Sequence, residues 1–593
     1  MNSRTLSKAA KLGATLAGDN CDFRVWAPAA KTVTLRLINE HGQHDWPMQY
    51  ADDGHFEMQA FARPGDKYFY IPNQDKGQNK PVPDPVSRLL PEGVHGPTEI
   101  VDAEKFNWRD KTWRGLPLRE YVIYELHIGT FTREGTIDAA IAKLPYLKSL
   151  GITVIEIMPV AAFPGTRNWG YDGVSPYAVQ ASYGGQDALK RFVNAAHELG
   201  LGVILDVVYN HLGNEGNYLR FLGPYFTDKH QTPWGEAINY DQSGCEGVRR
   251  YFVENALYWI REYHMDGLRL DAVQTIKDDS PKHILAEITE EAAALAAELG
   301  REVCVIAETD ENDEKMVRPL ASGGLGLSAQ WSDDFHHAIH AFFTGERKGY
   351  YQDFGRPEQI SRALQSGFVF QGEPFQFWGG RARGTSSANM PAPAHVICIQ
   401  NHDQIGNRAP GERLTALIPC GARMIAAALL LLAPETPLLF MGQEYDEPNP
   451  FQFFTDYGDP ALQKAVREGR QQEFKDFDFS SNSVPDPQDP ATFANSKLNW
   501  QLTQGECLML DWYKSLLALR KKYVTNSERT CKAELIDGVI HMQMPREEPT
   551  LKVFARIQGS AELPQPGSGW EKALSEEEDG FAVSVWVEGL DVR

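Results

Sequence analysis

Four short segments of this sequence end in residues able to carry acid, base or nucleophilic chemistry. Asp206, Asn210 and His211 lie in DVVYNH, Arg269 and Asp271 in GLRLDAV, Glu308 ends VCVIAE, and Asn401, His402 and Asp403 end HVICIQNHD. Taken singly, an Asp or Glu at such a place often does no more than cap the helix that follows. Four such ends together are harder to explain that way. Arg269 and Asp271 are two apart, so on a strand their side chains share a face and can pair. A carboxylate held by a guanidinium stays ionised and can attack as a nucleophile, whereas a carboxyl group in a less polar setting keeps its proton. Retaining glycoside hydrolysis needs one of each, about 5–5.5 Å apart, and adjacent strands about 4.8 Å apart can provide that separation.

These segments belong to a longer series. Eight short, continuous apolar runs (YVIYELHI, ITVIEIMP, GVILDVVYN, GLRLDAV, VCVIAE, LSAQW, HVICIQNHD and PLLFMG) alternate with stretches of helical pattern. Such runs are expected of parallel strands buried on both faces. In ILAEITEEAAALAAELG, Ile284, Ile288, Ala292, Leu295 and Leu299 fall on one helical face. Eight βα units predict a (β/α)8 TIM barrel with its reacting groups at the C-terminal strand ends. Ahead of it, FRVWAPAAKTVTLRL alternates apolar and polar residues, and AspAspGly (52–54) and ProGlyAsp (64–66) mark turns, predicting an N-terminal β-sandwich. Prolines between Ile71 and Thr98 favour an extended connector. After the helical ECLMLDWYKSLLALRKKY, the strands VIHMQM, LKVFARI and FAVSVWVEG predict a small C-terminal β-domain. The division is therefore 1–105 (sandwich), 106–525 (barrel) and 526–593 (C-terminal domain), with a Pro/Asp/Ser-rich surface insertion at 480–490.

The 593 residues are 42% hydrophobic and 23% charged, which fits a globular protein with a large core and excludes wholesale disorder. A net charge of −22 repels phosphate backbones and anionic membranes, so neither nucleic acid nor a membrane is expected as a partner. The longest apolar run, Met424 to Ala433, is about half of what a bilayer span requires. Seven widely spaced cysteines without a CxxC pair read as reduced thiols. With no signal-like apolar stretch at the N-terminus, a cytoplasmic location is expected. Aromatic residues are abundant (13 Trp, 22 Tyr and 29 Phe), a surplus that flat apolar surfaces such as sugar rings would use.

DVVYNH, GLRLDAV, AlaGlu (307–308) and QNHD, in this order on a barrel, resemble the four signature regions of the α-amylase family of glycoside hydrolases. The resemblance implies Asp271 as nucleophile, Glu308 as general acid/base and Asp403 as the third carboxylate, which holds sugar hydroxyls and favours the distorted ring. It further implies that Arg269 orients the nucleophile and that His211 and His402 bond hydroxyls of the glucose at the cleavage point. Asp206 belongs to the same sugar site, and Tyr171 in NWGYDGVSPYAV stacks on that glucose.

PDPVSRLLPEGVHGPTEIVD, YELHIGTFTREGT, AQWSDDFHHAIH and FMGQEYDEPNPFQFFTDYGDP are similar to a narrower branch of that family. Its members cut the α-1,4 bond next to the terminal trehalose of maltooligosyltrehalose, releasing trehalose. By that resemblance Trp331, Asp333, Asp334, Glu444, Phe451 and Phe454 line the leaving-group side, while Gln443 stands where the branch has a second Glu. The expected partners are the α-glucan substrate and trehalose, for a monomer or dimer, with no cofactor and no metal. The rivals are a debranching or branching α-glucan enzyme, separated by its products, and a non-catalytic carbohydrate-binding protein, which would be expected to lack one of the three carboxylates. No GxGxxG follows a strand and no P-loop occurs.

Overall fold

A computed structural model describes residues 11–73, 80–474, 484–527 and 529–589. Eight parallel strands close into a barrel: β1 (Ile123–Leu126), β2 (Val154–Ile157), β3 (Gly202–Val207), β4 (Gly267–Leu270), β5 (Cys304–Ala307), β6 (Ala329–Trp331), β7 (His395–Cys398) and β8 (Thr436–Phe440). Each pairs with its neighbour in sequence, and β8 closes on β1. All eight lie inside the apolar runs or within one residue of them. Asp206 and Arg269 lie within the ladders, which stop short of Asn210, Asp271, Glu308, Asn401, His402 and Asp403, leaving these free to turn into the loops above the barrel.

The barrel interior changes character along its axis. Its lower part is apolar, filled by Ile123, Val154, Ile204, Cys304, Ile306, Val396 and Leu438 among others, as barrel cores generally are. Two residues further along β1 to β4, where side chains return to the same face, stand Glu125, Glu156, Asp206 and Arg269, none more than 1% exposed. This charged layer is the floor on which the strand-end residues rest.

Helices such as Gly185–Glu198, Cys245–Glu262, Ile284–Leu299 and Cys420–Leu432 surround the barrel. In Ile284–Leu299 the face predicted from periodicity is buried at Ile284, Ile288, Ala292 and Leu295, but Leu299 is 37% exposed, because it sits in the last turn where Gly300 ends the helix. The apolar run at Met424 to Ala433 lies in the helix Cys420–Leu432 and is almost wholly buried. Among the described residues no helix is long and apolar enough to cross a membrane.

The N-terminal sandwich consists of two four-stranded sheets. Asn20–Trp26 and Thr32–Asn39 turn Cys21, Phe23 and Val25, and Val33, Leu35 and Leu37, into its core. The proline-rich stretch after it is not a free connector. Residues 74–79 lie outside the described residues, Val82 bridges back to Tyr70, and Leu90 and Val94 are buried against Ala162, Val174 and Ala178 of the barrel. The C-terminal domain is a five-stranded antiparallel sheet. Beyond the three strands read from sequence it contains Lys532–Ile536 and Trp570–Glu578, the latter largely charged and so without an apolar pattern. Of the stretch at 480–490, residues 480–483 lie outside the described residues, and Asp489 caps the short helix Pro490–Asn495.

Candidate active site

Asp271 stands one residue past the end of β4, and both its oxygens are taken. Oδ1 accepts from Arg269 Nη1 at 2.8 Å and Oδ2 from Asn210 Nδ2 at 2.7 Å. Arg269 is completely buried, its guanidinium centred 4.5 Å over the Trp331 ring, and Nη1 also donates to Asp206 Oδ2 at 2.7 Å. These contacts fix Asp271 in one orientation with little freedom to turn.

Glu308 stands one residue past the end of β5, next to Asp271 across the β4–β5 ladder, whose last pair is Leu270 with Ala307. One of its oxygens accepts from the backbone N–H of Ala272. Ala272 has φ +40°, a left-handed conformation unusual for a residue with a side chain, held next to Glu308 by this bond. Burial, with the nearby charges of Asp271, Asp403 and Asp333, pushes the Glu308 carboxyl well above the usual carboxylate range, against the opposing pull of Arg269. The two neighbouring carboxyl groups thus sit in opposite surroundings: one bonded by a guanidinium and an amide, the other able to hold a proton on its second oxygen.

His402 and Asp403 follow β7 in a short helix, His402–Gly406, whose N-cap Asn401 accepts from Gln404 N. His402 Nδ1 bonds Glu125 of β1, and Nε2 lies 2.7 Å from the Tyr171 hydroxyl, which itself donates to Asp206 Oδ2 at 2.6 Å. With Tyr171 donating elsewhere, both ring nitrogens of His402 act as donors, as a cation requires. Burial alone would lower its pKa, but the charges of Glu125 and Asp403 and the bond to Glu125 outweigh it and raise the group to about 9. The Tyr171 ring stacks on His402 at 5.1 Å. Asp403 keeps much of its carboxylate open, with Oδ1 accepting from Asn407 Nδ2. Asp333, at the start of the helix Asp333–Thr344, is half-buried near Glu308, and burial pushes its carboxyl up to about 7. A cavity of about 490 Å³, lined by Glu346, Tyr350, Tyr351 and Arg408 among others, adjoins the segment carrying Asp403.

The structure brings Tyr171, His211, Asp271, Glu308, Asp333, His402 and Asp403 together at the C-terminal mouth of the barrel, with Arg269 directly beneath Asp271, but other predicted residues lie elsewhere. Asp206 is in the barrel floor beside Arg269, its partner in register, where burial pushes it up to about 6. Trp331 is also in the floor, its ring committed to Arg269 rather than presented to a ligand. Asp334 is fully buried and ties a loop, accepting from Val369 N, Phe370 N and Arg383. Glu444 is fully buried between the hydroxyls of Tyr124 and Tyr146, and Phe451 and Phe454 are fully buried against Trp169, Phe440 and Phe493. Asp206 and Trp331 point inward from strands, Asp334 from a helix, and Glu444, Phe451 and Phe454 from segments after β8 that fold inward, and each side chain completes a packed interior. His211 reaches the site, but its ring nitrogens face Asn210 Oδ1 and the Tyr171 carbonyl.

Sequence reasoning passed over three residues. Glu125 and Glu156 are charges inside otherwise apolar strands, a signal present in YELHI and VIEIM. Trp234, 48% exposed at the tip of the hairpin Phe226–Thr232/Gly235–Ile238, stacks on His211 at 4.4 Å. One group among the described residues has the make-up of a metal site, His230, Asp241 and Asp279, but the Lys229 ammonium bonds both aspartates at 2.8 Å and supplies the positive charge there.

Residues 100–231 match the model of the alpha amylase catalytic domain, and residues 11–87 match carbohydrate-binding module 48, the isoamylase N-terminal domain. The chain is 47% identical to a malto-oligosyltrehalose trehalohydrolase of Saccharolobus solfataricus over 86% of this chain and 87% of that one. It is likewise 47% identical to one from Rhizobium sp. (strain M-11), over 84% of each. Among solved structures, an alpha amylase candidate from Salmonella typhimurium superposes with a TM-score of 0.89 at 41% identity, covering 97% of this chain and 99% of its own.

Proposed function

This chain belongs to the malto-oligosyltrehalose trehalohydrolase family of retaining α-glycoside hydrolases, and from that premise we propose how its residues cut the α-1,4 bond next to a terminal trehalose. Asp271 is the nucleophile and Glu308 the general acid/base. The observation that carries this assignment is the pair of contrasting carboxyls on adjacent strand ends, Asp271 on Arg269 and Asn210, and Glu308 on the Ala272 amide.

With the glucan tail in the groove and trehalose beyond Glu308, the Glu308 proton passes to the bridging oxygen as an Asp271 oxygen attacks the anomeric carbon. Trehalose leaves, and the chain is held as an ester on Asp271. Glu308, now a carboxylate, takes a proton from water as that water attacks the same carbon, restoring both residues. Asp403 bonds hydroxyls of the glucose being cut, beside cationic His402 whose two N–H groups are held by Glu125 and Tyr171; Tyr171 and Trp234 offer ring faces to sugars, and Asp333 borders the leaving-group side. Asp206 acts from below by holding Arg269. We further propose domain divisions at 105/106 and 525/526, a reading supported by three separate sheet systems, and a cytoplasmic location, supported by seven cysteines that are all free thiols, for a monomer or dimer.

Chromatography of the products from maltotriosyltrehalose, maltohexaose and a branched glucan tests this reading. Free trehalose from the first, with little turnover of the others, is expected. Release of linear chains from α-1,6 branches, or equal cleavage of all three, would overturn it.

A further inference from the structure

The barrel floor contains a carboxyl group that the mechanism above does not use. Glu156 is fully buried on β2, in register with Glu125 of β1, and neither of its oxygens has a hydrogen-bond partner among the described residues. Unpartnered polar atoms also occur on its neighbours: Asp206 Oδ1, and Arg269 Nε and Nη2. Arg269 Nη2 has only a loose approach to Glu308, at 3.5 Å.

An ionised carboxylate here would be buried without a donor and would add a third negative charge to a floor already holding Glu125 and Asp206, which is strongly unfavourable. The charged and titratable groups facing Glu156 are Glu125, Asp206, Arg269, His402 and Cys398. Burial and the two acids together outweigh Arg269 and His402 and push its carboxyl far above the usual range. As a neutral acid it has one O–H donor and one carbonyl acceptor. Its neighbours need the complement, since Asp206 Oδ1 seeks a donor and the two Arg269 nitrogens seek acceptors. Clusters of buried polar atoms without protein partners are where globular proteins hold ordered water.

We propose that Glu156 is a positioning residue: as a neutral acid, working with ordered internal water, it completes the hydrogen bonding of Arg269 and Asp206 from beneath and so fixes the guanidinium that orients Asp271. The inference rests on Asp271 being the nucleophile, but its test is separable. Two variants of the full-length enzyme decide it. Glu156→Gln keeps a neutral donor and acceptor of the same shape, whereas Glu156→Leu removes both.

With maltotriosyltrehalose as substrate, Glu156→Gln is expected to retain kcat within about threefold and the wild-type pH profile. Glu156→Leu is expected to lose about 10–100-fold in kcat with KM nearly unchanged, the cost of a displaced reacting group. Infrared difference spectra at neutral pH should show a protonated-carboxyl carbonyl band in the wild type that is absent from Glu156→Gln. Full activity in Glu156→Leu would overturn the proposal. So would a folded Glu156→Gln that loses more than about tenfold in kcat, or no loss of the infrared band; these last two decide the matter even if the Leu variant fails to fold. An active Asp271→Asn would instead overturn the nucleophile assignment, leaving the infrared result on Glu156 to stand by itself.

Discussion

Two buried networks of carboxylates and histidines occupy opposite ends of the same barrel, and they are built to opposite rules. At the N-terminal end Asp266 accepts from Trp113 Nε1, His197 Nε2, Val203 N and Arg301 Nη2 at 2.7–3.1 Å. His197 Nδ1 turns to Asp110, which also bonds His264. Burial presses both acids upward, yet these hydrogen bonds and charges outweigh it and hold Asp110 and Asp266 below the ordinary carboxylate range. At the C-terminal end Glu156, Asp206, Glu308 and Asp333 are all pushed up, and several polar atoms lack protein partners. The same residue types stabilise the fold where hydrogen bonds and nearby charges hold the acids ionised, and are poised for proton transfer where burial keeps their protons on.

The contrast is sharpest in what each end loses on mutation. Asp271→Asn or Glu308→Gln is expected to lower turnover by about 10³-fold or more while the melting temperature stays near that of the wild type. Asp266→Asn should do the reverse, costing about 3 kcal/mol of stability by breaking a buried, fully bonded pair while leaving kcat of the folded enzyme intact. Steady-state kinetics beside denaturant titration separates the two effects. Near-normal turnover in either catalytic variant, or a lost kcat in Asp266→Asn with stability kept, would erase the distinction.

A third test concerns pH. Folding raises the His402 pKa from 6.5 to about 9, so the folded state binds that proton more tightly. The resulting stability, about 3 kcal/mol, is fully present below pH 6.5 and disappears as pH rises through about 9. Glu125 is the main group raising it. In Glu125→Gln the gap in melting temperature from the wild type should therefore be widest near pH 6 and narrow toward pH 10. A gap independent of pH would mean that His402 is not held as a cation.

Much of this was legible in the sequence for a physical reason: parallel barrel strands must be apolar on both faces, so DVVYNH and GLRLDAV betray themselves by polar residues at one end. The pairing of Arg269 with Asp271 follows from that pattern together with strand alternation, whereas the roles proposed for Asp271, Glu308 and Asp403 rest on the resemblance to the α-amylase family. The roles of Trp331, Glu444, Phe451 and Phe454 were not legible, because an aromatic or acidic residue in a loop has no periodicity to say which way it faces. Glu125 and Glu156 do break an apolar run, but only the closed barrel shows that their strands adjoin and that His402 comes back over Glu125. Trp234 is placed by a hairpin whose sequence, KHQTPWGEAI, gives no sign that it folds back over His211.

The smallest expected effect bears on this boundary between packing and binding. Phe454 touches His127, Phe451 and Phe493 and is wholly enclosed. If it only packs, Phe454→Leu, which trims the ring and leaves a small void, should cost about 1–2 kcal/mol of stability and leave KM for maltotriosyltrehalose within error. Trp234→Ala reads the opposite case, since an exposed ring removed from a sugar-facing surface should raise KM several-fold with little change in melting temperature. Were Phe454→Leu to raise KM and leave stability untouched, the loop carrying it would have to open onto the groove when substrate binds, and the line drawn here between wall and core would move outward to include it.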